Sequence, residues 1–235
     1  MVRVIILRIR FILSQNNNKL EEATKKRKEE RKILNRIIEK PVSVLIDLNV
    51  SPDLLSFLGL LCSLSAAIFT AFGFIRGFFF LTWVPVFLIV LAGALDVFDG
   101  EVARNTNQVG PEGAYLDSNI DRISDSVIIL GLIYGGLLDF LVGFIIIFLM
   151  IMISYTRARA EVEGVDMKGI GWMERAERLI LLVLGLIIEI YVYAIIYWIT
   201  GVQFTLFFTA FIYFFLALLV VTLAQRFYHT RKVLT

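Results

Sequence analysis

The chain has 235 residues, 58% of them hydrophobic, and a mean hydropathy of +0.80. Soluble domains hold about 45–50% apolar residues, so the composition argues against a soluble globular protein and for one built into a membrane. Formal net charge is only +2, which argues against a nucleic-acid partner, and the single cysteine, Cys62, excludes an internal disulfide and any CxxC metal or redox motif.

Residues 1–14 are apolar with three arginines. They are too short to span a bilayer, and Gln15-Asn16-Asn17-Asn18 follows instead of a small-residue cleavage site. They read as an N-terminal extension, not a secretory signal. Residues 19–40 read as a charged helix with Glu21/Lys25 and Glu22/Lys26 at i, i+4. Ile33, Leu34, Ile37 and Ile38 form a narrow apolar stripe on it. It is expected to be an amphipathic juxtamembrane helix on an anionic lipid surface, the alternative being a solvated helix. Pro41 is expected to end it. The expected organisation is therefore an extension with a cytoplasmic helix over 1–40 and a membrane domain over 41–235.

Six apolar runs follow, at 54–74, 78–99, 115–138, 140–155, 179–199 and 204–224. Each approximates the length needed to cross a bilayer, so the expected fold is an all-α integral membrane protein with six transmembrane helices. Only Asp139 separates the third run from the fourth; Gly135-Gly136 makes a tight turn plausible there, with one long helix over 132–155 as the alternative. Ser51-Pro52-Asp53 has the order of an N-cap, a proline in the first turn and an acid at the helix N-terminus. Pro85 is expected to kink the second span. Ala92, Gly93 and Ala94 should let a neighbouring helix approach. Gly131-x3-Gly135 could serve a dimer contact or packing within the bundle. Twelve Lys and Arg residues precede residue 41, and with six spans every other basic residue except Arg76 falls on the same side. That side is expected to be cytoplasmic in a cell membrane, with both termini on it.

Four carboxylates interrupt the second and third runs: Asp96, Asp99, Asp117 and Asp121. Acids at such positions cost a few kcal/mol each on insertion scales, about 2.5–3.5, and mark functional sites. Asp96 and Asp99 are i, i+3, and Asp117 and Asp121 are i, i+4, so each pair shares a helix face. Two antiparallel helices can set the pairs opposite each other. Oxygen donors in that arrangement suit Mg2+ or Mn2+, and two ions could clamp a phosphoryl group. A structural ion-pair network with Arg104 and Arg122, or a cation path, are the competing readings. Gly100, Ala103 and Gly113 leave a slot with little side-chain bulk beside the acids, wide enough for a nucleotide base.

The run Asp96-x2-Asp99-Gly100-x2-Ala103-Arg104-x8-Gly113-x3-Asp117-x3-Asp121 resembles the signature of the CDP-alcohol phosphotransferase family of membrane enzymes, at eight fixed residues over 26 positions. The resemblance covers roughly residues 41–228. It implies transfer of a phosphatidyl-type group from a CDP-lipid to an alcohol with release of CMP, and a homodimer. By the resemblance Asp96, Asp99, Asp117 and Asp121 would hold two divalent ions, and Asp121 would also act as general base on the acceptor hydroxyl. Gly100, Ala103 and Gly113 would line the cytidine slot, with Arg104 near the phosphates. Asp53 departs from the asparagine common in the family and is left out of the site.

The acceptor is read from outside that run. Tyr155-x-Arg157-Ala158-Arg159-Ala160-Glu161, Glu174-Arg175-Ala176-Glu177-Arg178 and Gln225-Arg226 close or open spans four, five and six. Arginines at helix ends follow from topology alone, but three at one depth also make an anion site. These words resemble the subgroup that makes phosphatidylinositol phosphate or archaetidylinositol phosphate. The resemblance implies inositol phosphate as acceptor, gripped by Arg157, Arg178 and Arg226 with Arg159 close by. Bacterial members often carry Lys at the position of Arg157. The donor is expected to be CDP-archaeol or CDP-diacylglycerol, which lipid-facing Leu, Ile and Phe do not distinguish. A sister enzyme using glycerol phosphate, serine or free inositol, and a non-enzymatic carrier or scaffold, are the alternatives. Glu189, a lone acid in span five, and His229, the only histidine, receive no functional role.

Overall fold

A computed structural model describes residues 38–77, 80–203 and 205–235. The chain divides into two compact units, residues 1–50 and 51–235. Of the first, only the end is described. Residues 38–47 are helical (α1), and the helix runs through Pro41 instead of ending there. The break comes at Asn49, whose φ of 53° is left-handed and within the range an Asn tolerates. The expected extension and most of the expected amphipathic helix lie outside the described residues.

Among its described residues the second unit has only helices as regular structure: α2 (Pro52–Ala71), α3 (Trp83–Asn105), α4 (Pro111–Tyr134), α5 (Phe140–Val162), α6 (Arg175–Thr200) and α7 (Leu206–Leu234), with a 3-10 turn at Phe74–Arg76. The six expected runs correspond to these helices, but the helix ends are set by caps and turns, not by the limits of apolarity. Ser51 Oγ accepts from Leu54 N at 3.3 Å, and Pro52 sits in the first turn of α2. Asp139 Oδ1 accepts from Leu141 N and Val142 N. With Gly136 at φ 69°, that cap separates α4 from α5 and rules out one long helix. Pro85 does not fall mid-helix as expected. Because α3 starts at Trp83, Pro85 lies in the first turn, where an N–H would have no intrahelical partner anyway. α5 and α7 also outrun their apolar stretches, so Arg157 and Arg226 lie within these helices and not at their ends.

α2, α5, α6 and α7 are long and apolar enough to cross a membrane, and only 28–39% of each apolar window is buried. The remainder exposes large side chains such as Phe57, Leu61, Phe144, Phe148, Leu184 and Phe214, a surface suited to lipid and not to water. The core joins α4 to α7 through Ile129, Leu132, Ile146, Ile153, Leu186, Phe208 and Phe215.

α2 packs against both α3 and α4 and makes the close approaches. A Cβ on Gly131 would stand 2.6 Å from Ala67 Cα, and one on Gly135 would strike Thr70 O. The Gly131-x3-Gly135 pair is therefore filled from within the bundle by α2. On α3, a Cβ on Gly93 would come 2.7 Å from Leu179 Cδ2 of α6, the close neighbour expected at Ala92–Ala94.

Candidate functional site

The four aspartates sit near the C-terminal end of α3 and the N-terminal half of α4. The two helices run antiparallel through a short reversal in which Asn107 takes φ 57° and Gln108 N donates to Ala103 O at 2.9 Å. Asp96, Asp99 and Asp117 each offer a carboxylate oxygen, all within 4.8 Å of one another. Ser56 Oγ on α2 donates to Asp99 Oδ2 at 2.5 Å, so Asp99 is buried with one oxygen fixed. Asp121 stands one turn beyond Asp117. It joins the group through Arg175, whose Nη1 lies 2.9 Å from Asp121 Oδ1 and 2.5 Å from Asp96 Oδ1.

A cavity of about 560 Å³ opens on this cluster. Asp96, Asp121, Asp125, Arg175, Arg157, Arg178 and Arg226 all line it, and Val90, Met150, Ile151, Leu179, Val183 and Leu184 form its apolar wall. The three arginines expected to converge thus do so, from three helices. Arg178 is buried and its Nη2 donates to Asp125 Oδ2 at 3.0 Å, while its Nε makes no hydrogen bond. Arg226, also buried, donates from Nη1 to Ile153 O at 2.6 Å and from Nε to Ile170 O at 3.1 Å. The carbonyl of Ile170 belongs to the α5–α6 connection, which is held to α7 again through Trp172 N to Gln225 Oε1 and Met173 N to Thr222 Oγ1. Arg157 Nε bonds Glu161 at 2.9 Å on the exposed side.

Arg159 does not line the cavity. Two residues from Arg157 is about 200° around a helix, and its guanidinium pairs with Glu163 on the exposed surface. Gly100, Ala103 and Arg104 occupy the last turns of α3, and Gly113 the first turn of α4. A Cβ on Gly100 would lie 3.5 Å from the Arg104 guanidinium, whereas one on Gly113 would meet nothing within 4 Å. Arg104, largely exposed, pairs with Glu101 at 3.0 Å.

Three residues at the cluster, Arg175, Asp125 and Ser56, were not picked out from the sequence. Arg175 stands in the Glu174–Arg178 run without a role of its own, and nothing in its spacing distinguishes it. Asp125 had a signal: Asp117, Asp121 and Asp125 continue one i, i+4 row. Ser56 had none. The remaining lone acid has a partner: Arg76 Nη2 lies 2.7 Å from the buried Glu189 Oε1, beneath the Tyr193 ring. His229 is half-buried on α7, with no other metal-ligand type grouped around it among the described residues.

A family model described as CDP-alcohol phosphatidyltransferase matches residues 49–223. The archaetidylinositol phosphate synthase of Pyrococcus horikoshii is 35% identical over 172 residues, 71% of this chain and 87% of that protein. The phosphatidylinositol phosphate synthase of Streptomyces avermitilis is 32% identical over 64% of this chain and 62% of its own length. The crystal structure of the Mycobacterium tuberculosis phosphatidylinositol phosphate synthase with CDP-DAG bound superposes with a TM-score of 0.65 at 25% identity, covering 83% of this chain and 94% of that one. The family match takes in α2 to α6 whole and α7 as far as residue 223, and with them the four aspartates, Arg157 and Arg178, and on that ground the chain belongs to the CDP-alcohol phosphatidyltransferase family.

Proposed function

We propose that the protein transfers a phosphatidyl-type group from a CDP-lipid to inositol phosphate and releases CMP. The observation that carries the acceptor is the meeting of Arg157, Arg178 and Arg226 with Asp96 and Asp121 in one cavity. The buried Nε of Arg178, which has no acceptor, is a donor suited to a phosphate oxygen. The apolar wall beside it suits lipid chains. The archaeal and bacterial relatives named for inositol phosphate products support the same reading, and leave both CDP-archaeol and CDP-diacylglycerol as donors.

The donor set fits divalent cations. Three carboxylate oxygens lie within 4.8 Å. Of the five clustered acids, only Asp96, Asp121 and Asp125 have arginine partners, and these are shared between Arg175 and Arg178. Oxygen-only, anion-rich sites select hard ions, so Asp96, Asp99 and Asp117, with Asp121 completing a second position, would hold two ions of Mg2+ or Mn2+. Bound there, such ions would neutralise the diphosphate and stabilise charge on the departing CMP. Asp121 takes the proton of the acceptor hydroxyl as its oxygen bonds the lipid-side phosphorus and the bond to CMP breaks. Gly100, Ala103 and Gly113 line the cytidine slot, with Arg104 at its phosphate end. Arg159 is left outside the acceptor grip.

All six helices of the second unit cross the membrane in this reading, and the aspartate end is cytoplasmic. Ser56 near the start of α2 bonds Asp99, whereas Arg76 follows the end of the same helix. Among the described residues Arg76 is the cation placed beyond that far end, about 22 Å of helix from Ser56, on the face the positive-inside rule leaves poor in cations. The reading includes a homodimer whose contact lies away from Gly131 and Gly135, since α2 fills both. The test is CMP release by the purified protein with either CDP-lipid and a panel of inositol phosphate, inositol, glycerol phosphate and serine. Turnover with inositol phosphate is expected; equal or faster turnover with a neutral acceptor would refute the assignment.

A further inference from the structure

Arg175 opens α6 and reaches between the two aspartate-bearing helices. Its Nη1 is 2.5 Å from Asp96 Oδ1 and 2.9 Å from Asp121 Oδ1, so one positively charged group lies between the two carboxylates. Asp96 is also one of the three acids whose oxygens converge. The guanidinium thus fills the corner that links the triad to Asp121. A fixed strut would have its donors satisfied, and this one does not: Arg175 Nε is buried without a hydrogen bond. Asp125 Oδ1 stands 3.8 Å from that Nε, just beyond hydrogen-bond range, and Arg178 holds the other oxygen of Asp125. A second carboxylate, already anchored, therefore waits one small shift away.

We propose that Arg175 is an internal counter-cation with two stations. Without a divalent ion at the second position it lies between Asp96 and Asp121, in ionic contact with an Asp121 oxygen that makes no hydrogen bond. When Asp96 and Asp121 take up the ion, the guanidinium moves to Asp125, closes the Nε–Oδ1 gap and frees Asp121. Like charge drives the exchange, since a dication and a guanidinium cannot share that corner. The device makes the base competent only after the ion is in place. This inference rests on the metal reading above.

The test is Mn2+ binding to the full-length, substrate-free protein in detergent, followed by the electron paramagnetic resonance signal of free Mn2+. Arg175→Gln removes the competitor and is expected to tighten the weaker Mn2+ site by on the order of tenfold. Arg175→Lys keeps the charge and is expected to stay near wild type. Binding by the wild type with no gain in Arg175→Gln overturns the inference and leaves the metal reading standing. No Mn2+ binding by either protein overturns the metal reading and the inference with it. A second measurement needs no variant: phenylglyoxal modification of Arg175 in the wild type, read by peptide mass spectrometry. Faster modification on adding Mn2+ supports release from the bridge, and an unchanged or slower rate overturns it.

Discussion

Asp125→Asn tests whether the cavity is braced by a buried ion pair. Asp125 Oδ2 and Arg178 Nη2 are 3.0 Å apart, and the two side chains are 10% and 5% exposed. Removing one partner of such a pair costs about 3–5 kcal/mol, because the other charge stays buried. The adjoining cavity admits water to Arg178, so the lower part of that range, about 3 kcal/mol, is expected. In a chain of this length, about 2–4 °C of melting temperature accompanies each kcal/mol, and the variant should melt about 6–12 °C lower in detergent. Arg178→Met leaves Asp125 with Arg175 still 3.8 Å away, so it should cost less, about 2 kcal/mol. Combining the two removes both charges, and the double variant should be more stable than the sum of the singles by about 2 kcal/mol. Thermal melting of the four proteins gives the cycle. Additivity within about 0.5 kcal/mol would refute the reasoning. Kinetics separates bracing from acceptor binding: Arg178→Met should also raise KM for inositol phosphate, whereas Asp125→Asn should leave that KM largely unchanged.

Asp121→Asn is expected to lower CMP release by about 10²–10⁴-fold while calorimetric binding of the CDP-lipid is largely kept; near-normal turnover would remove Asp121 as the base. Chelation with EDTA should abolish CMP release, and Mg2+ or Mn2+ should restore it in the same assay. Gly131→Ala drives a Cβ to 2.6 Å from the Ala67 backbone and should cost about 1–3 kcal/mol of stability by thermal melting, with KM unchanged. Gly113→Ala has open space around its Cβ, so it should melt like the wild type and raise KM for the CDP-lipid.

The helices and the aspartate pairs were legible in the sequence because both depend on local periodicity. Runs of about 20 apolar residues mark each helix, and i, i+3 and i, i+4 spacing puts each pair on one face. Helix ends were less legible. A membrane helix continues past its apolar stretch until a turn ends it, as at Gly164 with φ 80° after α5, so α5 and α7 carry Arg157 and Arg226 inside them and not at their tips. The misplaced kink at Pro85 has the same origin: hydropathy does not distinguish residues 80–82, which precede α3, from the helix itself. Arg175 and Ser56 were invisible for another reason. Their partners are 54 to 79 and 43 positions away in the chain, and nothing local records which charge or hydroxyl will be turned inward.

α6 shows why those long-range partners matter to the site. Arg178 and Glu189 are eleven residues apart, which returns to nearly the same helix face about 16 Å further along. Arg178 is tied to Asp125 on α4, and Glu189 to Arg76 beyond the end of α2. The two pairs have opposite polarity along α6, positive at the aspartate end and negative at the other. Sliding α6 by one turn, or rotating it, would strand a buried charge at both levels at once. Buried pairs of this kind add little net stability over apolar packing; what they exclude is the wrong register. Leu182, Gly185 and Leu186 between them are buried, and Gly185 lets Phe211 of α7 come into close contact, so the stretch between the two pins is packed as well as aligned. The depth of Arg175, three residues before Arg178, follows from that alignment. Its reach to both Asp96 and Asp121 is thus a consequence of pins set elsewhere on α6, one of them near the far end of the bundle.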